Sequence, residues 1–140
     1  MQYYLKEHNL PVILDDILEH STQNMLLFYK ADERHAEHVA AMANLLFTEL
    51  SSYHKFDERT RALLRVAALL HDIGITINYY DHPRHSAYLV ENARLFGLTH
   101  REQMFVSVIA GWHNGASFIY FRNRIYSEFR DEADWDAARK

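Results

Sequence analysis

Two side chains stand where an apolar helix ought not to carry them. In Leu69-Leu70-His71-Asp72-Ile73-Gly74, a stretch built from Ala62, Leu63, Leu64, Val66, Ala67, Ala68, Leu69 and Leu70 runs out on a histidine and an aspartate. A helix C-terminus already carries partial negative charge, so a carboxylate buried there is unfavourable unless a cation or strong donors compensate. A divalent ion would compensate, and imidazole nitrogen with carboxylate oxygen is a donor set that suits zinc, iron or manganese. The plainer alternative is that Asp72 caps the backbone of the following loop while His71 is a satisfied core histidine.

The rest of the chain adds to the first alternative. It holds ten histidines in 140 residues, and His35, His82 and His113 fall, like His71 and Asp72, at the starts or ends of predicted helices. One end of a helical bundle could gather all five around an ion; histidine is the commonest metal ligand. His38 and His85 could support such a site or meet an anionic substrate, and Arg84 could grip a phosphate with two parallel hydrogen bonds. Packing or a solvated face is the alternative for each of these three. His8, His20, His54 and His100 read as ordinary.

The elements that would position these residues are helical. Four glycines and two prolines leave little turn chemistry, and apolar residues recur at spacings of three and four. We read an all-α bundle of about six or seven helices, with a helical extension over 1–31, a core over 32–114, and a tail over 115–140. Pro11 fits the first turn of a helix over 10–29, either continuous or broken near Ser21-Thr22. Asp32 should cap a helix to about residue 50 whose inward stripe is His35, Val39, Met42, Ala43, Leu46, Phe47 and Leu50. Residues 51–56 read as a connector, and Asp57 as the cap of the central apolar helix. Gly74 is expected to end that helix in the left-handed conformation. Asp81-His82-Pro83 opens a helix that should run to Gly97, and Thr99 with Glu102 forms a capping box for the next. That last helix should bury Met104, Phe105, Val108, Ile109 and Trp112, and Tyr88 on its neighbour should pack inward too. Residues 118–121 are aromatic and fit either an extended or a short helical segment. The closing DEADWDAARK, acidic first and basic last, reads as the start of a helix that continues past Lys140.

Composition excludes several classes of function. A net charge of -4 and the absence of any dense Lys or Arg run argue against a nucleic-acid partner. There is no cysteine, so disulfide frameworks and thiolate nucleophiles are out, and a cytoplasmic location fits. The N-terminus lacks the layout of a signal peptide, and no apolar run reaches the roughly 18 residues of a membrane span.

The quoted motifs carry a resemblance. His35-Ala-Glu-His-Val-Ala followed by Leu69-Leu70-His71-Asp72-Ile73-Gly74 resembles the HD-domain superfamily of metal-dependent phosphohydrolases. AALLHDIG, then HPRHSAYLV, then VIAGWHN resembles, more narrowly, the C-terminal HD-like domain of the exopolyphosphatase and guanosine pentaphosphate phosphohydrolase family. The resemblance covers roughly 32–114. It implies a divalent ion, Mg, Mn, Fe or Zn, held by His35, His71, Asp72, His82 and His113, with His71 and Asp72 as the catalytic pair. It also implies Arg84 and His85 on the substrate side, and a phosphorylated small molecule or polyphosphate as the partner. In that family, polyphosphate hydrolysis is attributed to preceding actin-like domains with glycine-rich loops, which these scattered glycines cannot form. HD enzymes also use a final aspartate in a stretch resembling LADAL. None occurs before Lys140, and Asp131, Asp134 and Asp136 read better as charges favouring a helix dipole, so that ligand is expected beyond the segment. Two other roles follow as alternatives: an accessory or homodimerising module supporting polyphosphate binding beside N-terminal actin-like domains, or a helical interaction domain with an exposed apolar patch.

Overall fold

The computed structural model describes residues 10–115 and 132–140. Within them the chain forms seven α-helices and no strand: α1 (Leu10–Phe28), α2 (Glu33–Glu49), α3 (Ser51–His54), α4 (Glu58–Leu70), α5 (His82–Glu91), α6 (His100–Trp112) and α7 (Glu132–Arg139), with a 3-10 turn at Ile73–Thr76. α1 is continuous through Ser21-Thr22, and both hydroxyls there donate to the Leu18 carbonyl rather than breaking the helix.

Three helix starts form as their sequences direct. Asp32 accepts from the His35 backbone N–H at 3.0 Å, and Asp57 accepts from Thr60 at 2.9 Å. Thr99 and Glu102 satisfy each other's backbone donors in a full capping box. Each cap fixes where a helix begins, and the first of them fixes the position of His35.

α4 is the axis of the bundle. Leu63, Val66, Ala67, Ala68, Leu69 and Leu70 are all buried, and α1, α2 and α6 pack against it. α5 lies along α6 and on the 3-10 turn. α7 seals the far side of that pair with Trp135, which is 2% exposed and packs with Ala87, Met104 and Val108. Two arginines bind elements together across the surface. Arg59 of α4 donates to both carboxylate oxygens of Glu102 and to the Gly97 carbonyl, and Arg65 joins Glu19 of α1 to Glu37 of α2.

Several expectations need correction. α2 turns Ala36, Ala40 and Phe47 to the core, whereas Met42, Leu46 and Leu50 are at least half exposed. The small alanines let α2 approach α4 closely, and the larger apolar side chains are left on the outer face. Residues 51–54 form a turn of helix rather than open connector. α5 stops at Glu91, not at Gly97, because Gln103 of α6 donates to the carbonyls of Val90 and Ala93 at 2.7 and 2.8 Å and so satisfies the chain end from outside. Tyr88 is half exposed rather than packed.

Gly74 is also not in the left-handed region; it sits inside the 3-10 turn. Its requirement is space. A Cβ there would overlap the His82 carbonyl oxygen and the Ser86 backbone nitrogen, both main-chain atoms. The Gly74 N–H donates to the buried Ser86 hydroxyl at 2.9 Å, so the first turn of α5 lies directly on the segment that carries Asp72. The aromatic stretch 118–121 and Asp131 lie outside the described residues.

Candidate metal centre

The site assembles from four helix ends. His35 stands in the first turn of α2, His71 caps the end of α4 and Asp72 follows it, His82 begins α5, and His113 caps the end of α6. Burial of α4 brings its C-terminus to the same level as the C-terminus of α6. The contact through Gly74 then swings the start of α5 onto them.

Asp72 is the hub. Its Oδ2 lies 3.2 Å from His71 Nε2 and 3.5 Å from His35 Nε2, while its Oδ1 lies 3.2 Å from His82 Nε2 and 3.5 Å from His113 Nε2. The two carboxylate oxygens therefore face two separate histidine pairs. His82 Nε2 and His113 Nε2 are themselves 3.2 Å apart.

The opposite nitrogen of three rings is fixed by the main chain. His71 Nδ1 lies 2.7 Å from the Ala68 carbonyl, His82 Nδ1 2.9 Å from that of Tyr79, and His113 Nδ1 2.7 Å from that of Ala110. A carbonyl only accepts, so Nδ1 carries the proton in each ring and the neutral ring presents an Nε2 lone pair to the hub. Lone pairs then face a carboxylate, and lone pair faces lone pair between His82 and His113. Such an arrangement calls for positive charge in its middle.

Protons meet that call only in part. At His71, burial opposes the charged ring, but the hydrogen bond to Asp72, the Ala68 carbonyl and the Asp72 charge outweigh it and raise the pKa above the usual histidine value. Asp72 is held below the usual carboxylate range, chiefly by the His71 hydrogen bond, against its own burial. His113 moves the other way. Burial lowers its pKa, and the neighbouring charges of His71 and His82 add to that effect against the pull of Ala110 and Asp72. Positive charge on His71 thus works against protonation of His113.

A divalent ion meets the same need without that penalty, and the donor set fits one. Donor atoms held 2.0–2.2 Å from a four-coordinate ion lie roughly 3.3–3.5 Å from each other, and the spacings above fall in or near that range. Two groups have their donor atoms mutually close enough to share an ion: His35, His71 and Asp72, and Asp72, His82 and His113. Asp72 belongs to both, with one oxygen for each.

The other residues singled out in the sequence lie apart from this hub. Arg84 Nη1 pairs with Asp81 at 3.4 Å, and His85 is half-buried in the first turn of α5; among the described contacts neither reaches Asp72. His38 and His100 are exposed. Asp136 is exposed on α7. His54 is structural: its Nε2 meets the Phe47 carbonyl at 2.7 Å and its Nδ1 accepts from the Phe56 N–H at 2.8 Å.

Of the cavities among the described residues, one of about 470 Å³ reaches the cluster only at His113, against a largely apolar wall that includes Leu46, Phe47, Phe105 and Trp112. Another, of about 1280 Å³ between α1 and residues 92–97, is lined mainly by apolar side chains, including Phe28 and Phe96, and touches none of the five. A smaller one, about 350 Å³, is lined by His35 and Asp72 together with Tyr29, Lys30, Asp32 and Thr76. Chemistry favours the last of these. Lys30 escaped the sequence reading because nothing local to Tyr29-Lys30-Ala31 marks it; its place follows only from how α1 ends beside the 3-10 turn.

With this geometry in hand, comparison with known proteins is direct. Residues 17–128 match the family model described as Ppx/GppA phosphatase, domain III. The chain belongs to the Ppx/GppA phosphatase domain III family. All five residues of the cluster fall inside the matched stretch. Among curated relatives of this domain III, the guanosine-5'-triphosphate,3'-diphosphate pyrophosphatase of Aeromonas salmonicida is 33% identical over 95 residues, 67% of this chain and 19% of its own length. The protein of the same name from Aeromonas hydrophila subsp. hydrophila matches to the same extent. The chain thus spans about a fifth of the length of these curated relatives.

Proposed function

We propose that this domain III holds divalent metal at His35, His71, Asp72, His82 and His113 and hydrolyses a phosphate ester or anhydride there. The observation that carries the reading is the orientation of the histidines: three rings are anchored at Nδ1 so that their Nε2 atoms converge on the Asp72 carboxylate at 3.2–3.5 Å, spacings that suit a shared ion. A bound divalent ion would supply Lewis acidity toward a phosphoryl oxygen and an acidified water. His71 and Asp72 are the pair on which the site depends, since Asp72 serves both donor groups and His71 is its closest buried partner. In the reaction, a water oxygen bonds to phosphorus, the P–O bond to the leaving group breaks, and the water proton passes to the leaving oxygen or to solvent. Arg84 and His85, beside His82 on α5, are assigned to the phosphate on that side of the cluster.

The substrate class extends what the relatives' names state of those proteins: a nucleotide phosphate or a polyphosphate end. The location assigned is cytoplasmic, consistent with the absence, among the described residues, of any helix long and apolar enough to cross a membrane.

The test is elemental analysis of the purified protein together with phosphatase assays on a nucleotide, short polyphosphate and a generic phosphate ester. Bound metal near or above one ion per chain is expected, and His71→Ala should lower both metal content and hydrolysis by at least about a hundredfold. A folded, metal-free protein with no activity after incubation in Mn, Zn, Fe and Mg salts overturns the reading.

A second reading has its own support. Met42, Leu45, Leu46, Leu50 and Tyr53 are all half or more exposed along α2 and α3, an apolar face of the kind that docks against a partner. An accessory or dimerising module, acting beside the N-terminal domains of a longer protein, would use that face. Light scattering on the parent and on Leu46→Glu separates the two: a dimer lost in the variant, with no metal dependence anywhere, favours the module.

A further inference from the structure

α1 ends in a paired-bond motif. The Ala31 N–H donates to the Leu26 carbonyl at 2.9 Å and the Lys30 N–H to that of Leu27 at 3.1 Å, the pattern of a Schellman C-terminus. The residue between must be left-handed, and glycine is the ordinary occupant. Here it is Lys30, with φ 51°. A side chain in that conformation destabilises the fold, so a lysine there invites a functional explanation.

Its surroundings supply one. Lys30 lines the 350 Å³ cavity whose other edge is His35 and Asp72, and its ammonium enters no ion pair among the described residues. The remaining polar groups on the cavity are Tyr29, Asp32 and Thr76, over an apolar floor of Leu69 and Ile73. Asp32 is already committed to capping α2. The cavity is at the small end of the range for ligand sites, too small for an extended chain of phosphates and matched to one phosphate with a pentose-sized group.

We propose that this cavity is the recognition pocket for a compact phosphate monoester, with the Lys30 ammonium on the phosphate and Tyr29 and Thr76 against the alcohol portion. The proposal rests on the metal reading above, because the carboxylates of Asp32 and Asp72 would repel a phosphate without a cation at the hub. Lys55 provides an internal control. It is also a left-handed lysine after a helix, with φ 56°, and like Lys30 it is exposed, but it lies on no cavity shared with His35 or Asp72.

The experiment measures Mn uptake, calorimetric binding of ribose 5-phosphate to the Mn-loaded protein, and thermal stability, in the parent, Lys30→Gly and Lys55→Gly. Both variants should melt about 3 °C higher, since each relieves a left-handed side chain. Only Lys30→Gly should weaken ribose 5-phosphate, by about tenfold, as expected for one lost charge-assisted hydrogen bond. Lys30→Arg should retain most of the affinity. Mn binding with ribose 5-phosphate affinity unchanged in Lys30→Gly, or equally reduced in Lys55→Gly, overturns the pocket alone. Failure of the parent to take up Mn overturns the metal reading and the pocket with it. Tighter binding of a tripolyphosphate than of ribose 5-phosphate overturns the compact substrate.

Discussion

The Asp72 cluster and the two arginine clamps are all polar contacts between helices, yet they are balanced in opposite ways. Arg59 meets Glu102 with two hydrogen bonds and spends a third on the Gly97 carbonyl; Arg65 sits between Glu19 and Glu37. Each clamp contains its own counter-charge. At Asp72, three imidazoles held at Nδ1 by main-chain carbonyls turn Nε2 toward one carboxylate, and His35 Nε2 lies 3.5 Å from it. The clamps close their own electrostatics, whereas the Asp72 cluster, on the metal reading proposed above, leaves a charge for a ligand to supply.

The sharpest way to break that contrast is Asp72→Asn. It should lower divalent-metal affinity by at least about a hundredfold, because the two donor groups share this carboxylate and would lose its charge and one of its two oxygens. Thermal stability of the metal-free protein should fall only modestly, through loss of the His71–Asp72 charge-assisted hydrogen bond. A calorimetric titration with Mn or Zn beside a melt of the metal-free variant checks both halves. A large loss of metal-free stability, with metal affinity intact, would put Asp72 in the same class as the clamps.

Gly74→Ala is next, and it tests whether packing or the donors set the site. The added methyl would overlap the His82 carbonyl and the Ser86 backbone nitrogen, both main-chain atoms, so α5 must shift. We expect a loss of about 2–4 kcal/mol in stability by chemical denaturation and a further loss of metal affinity in whatever remains folded, as His82 moves with its helix.

The smallest effect belongs to the clamps. Glu19 and Glu102 have pKa values lowered from 4.5, chiefly by hydrogen bonds from Arg65 and Arg59, against partial burial. A lowered folded pKa contributes stability that is complete above the unfolded value and is lost as pH falls through the folded one. The Glu19 side chain is 43% exposed and that of Glu102 22%, so water still screens both pairs in part, and together they should contribute no more than about 1–2 kcal/mol. Denaturation midpoints should therefore hold between pH 7 and 5 on this account and fall below about 4.5. Arg59→Ala combined with Arg65→Ala should flatten that fall.

What the sequence revealed depended on how local each signal was. The caps at Asp32, Asp57 and Thr99 act within three residues and were readable for that reason. The five residues of the hub were readable as candidates because their types and helix-end positions are local, although their convergence is tertiary. Periodicity put Met42, Leu46 and Leu50 on the inward stripe of α2, whereas Ala36 and Ala40 face the core, because which side of a helix is inward depends on how closely its neighbour can approach. The end of α5 depends on Gln103, at least ten residues away, and the need for Gly74 depends on a helix that had not yet been placed. Lys30 became visible only once α1 and the 3-10 turn shared a wall.

The carbonyls of Ala68, Tyr79 and Ala110 that aim the three histidines have one more consequence. Every residue type brings a carbonyl, so no point substitution at those three positions deletes the group that orients the ring. The aim of these three rings therefore resists side-chain substitution at 68, 79 and 110, and is exposed instead at places, such as Gly74, where the backbone itself would be displaced. On the metal reading, a lineage that lost one of the three histidines would keep the other two pointed at Asp72, so that restoring a single side chain would restore the set.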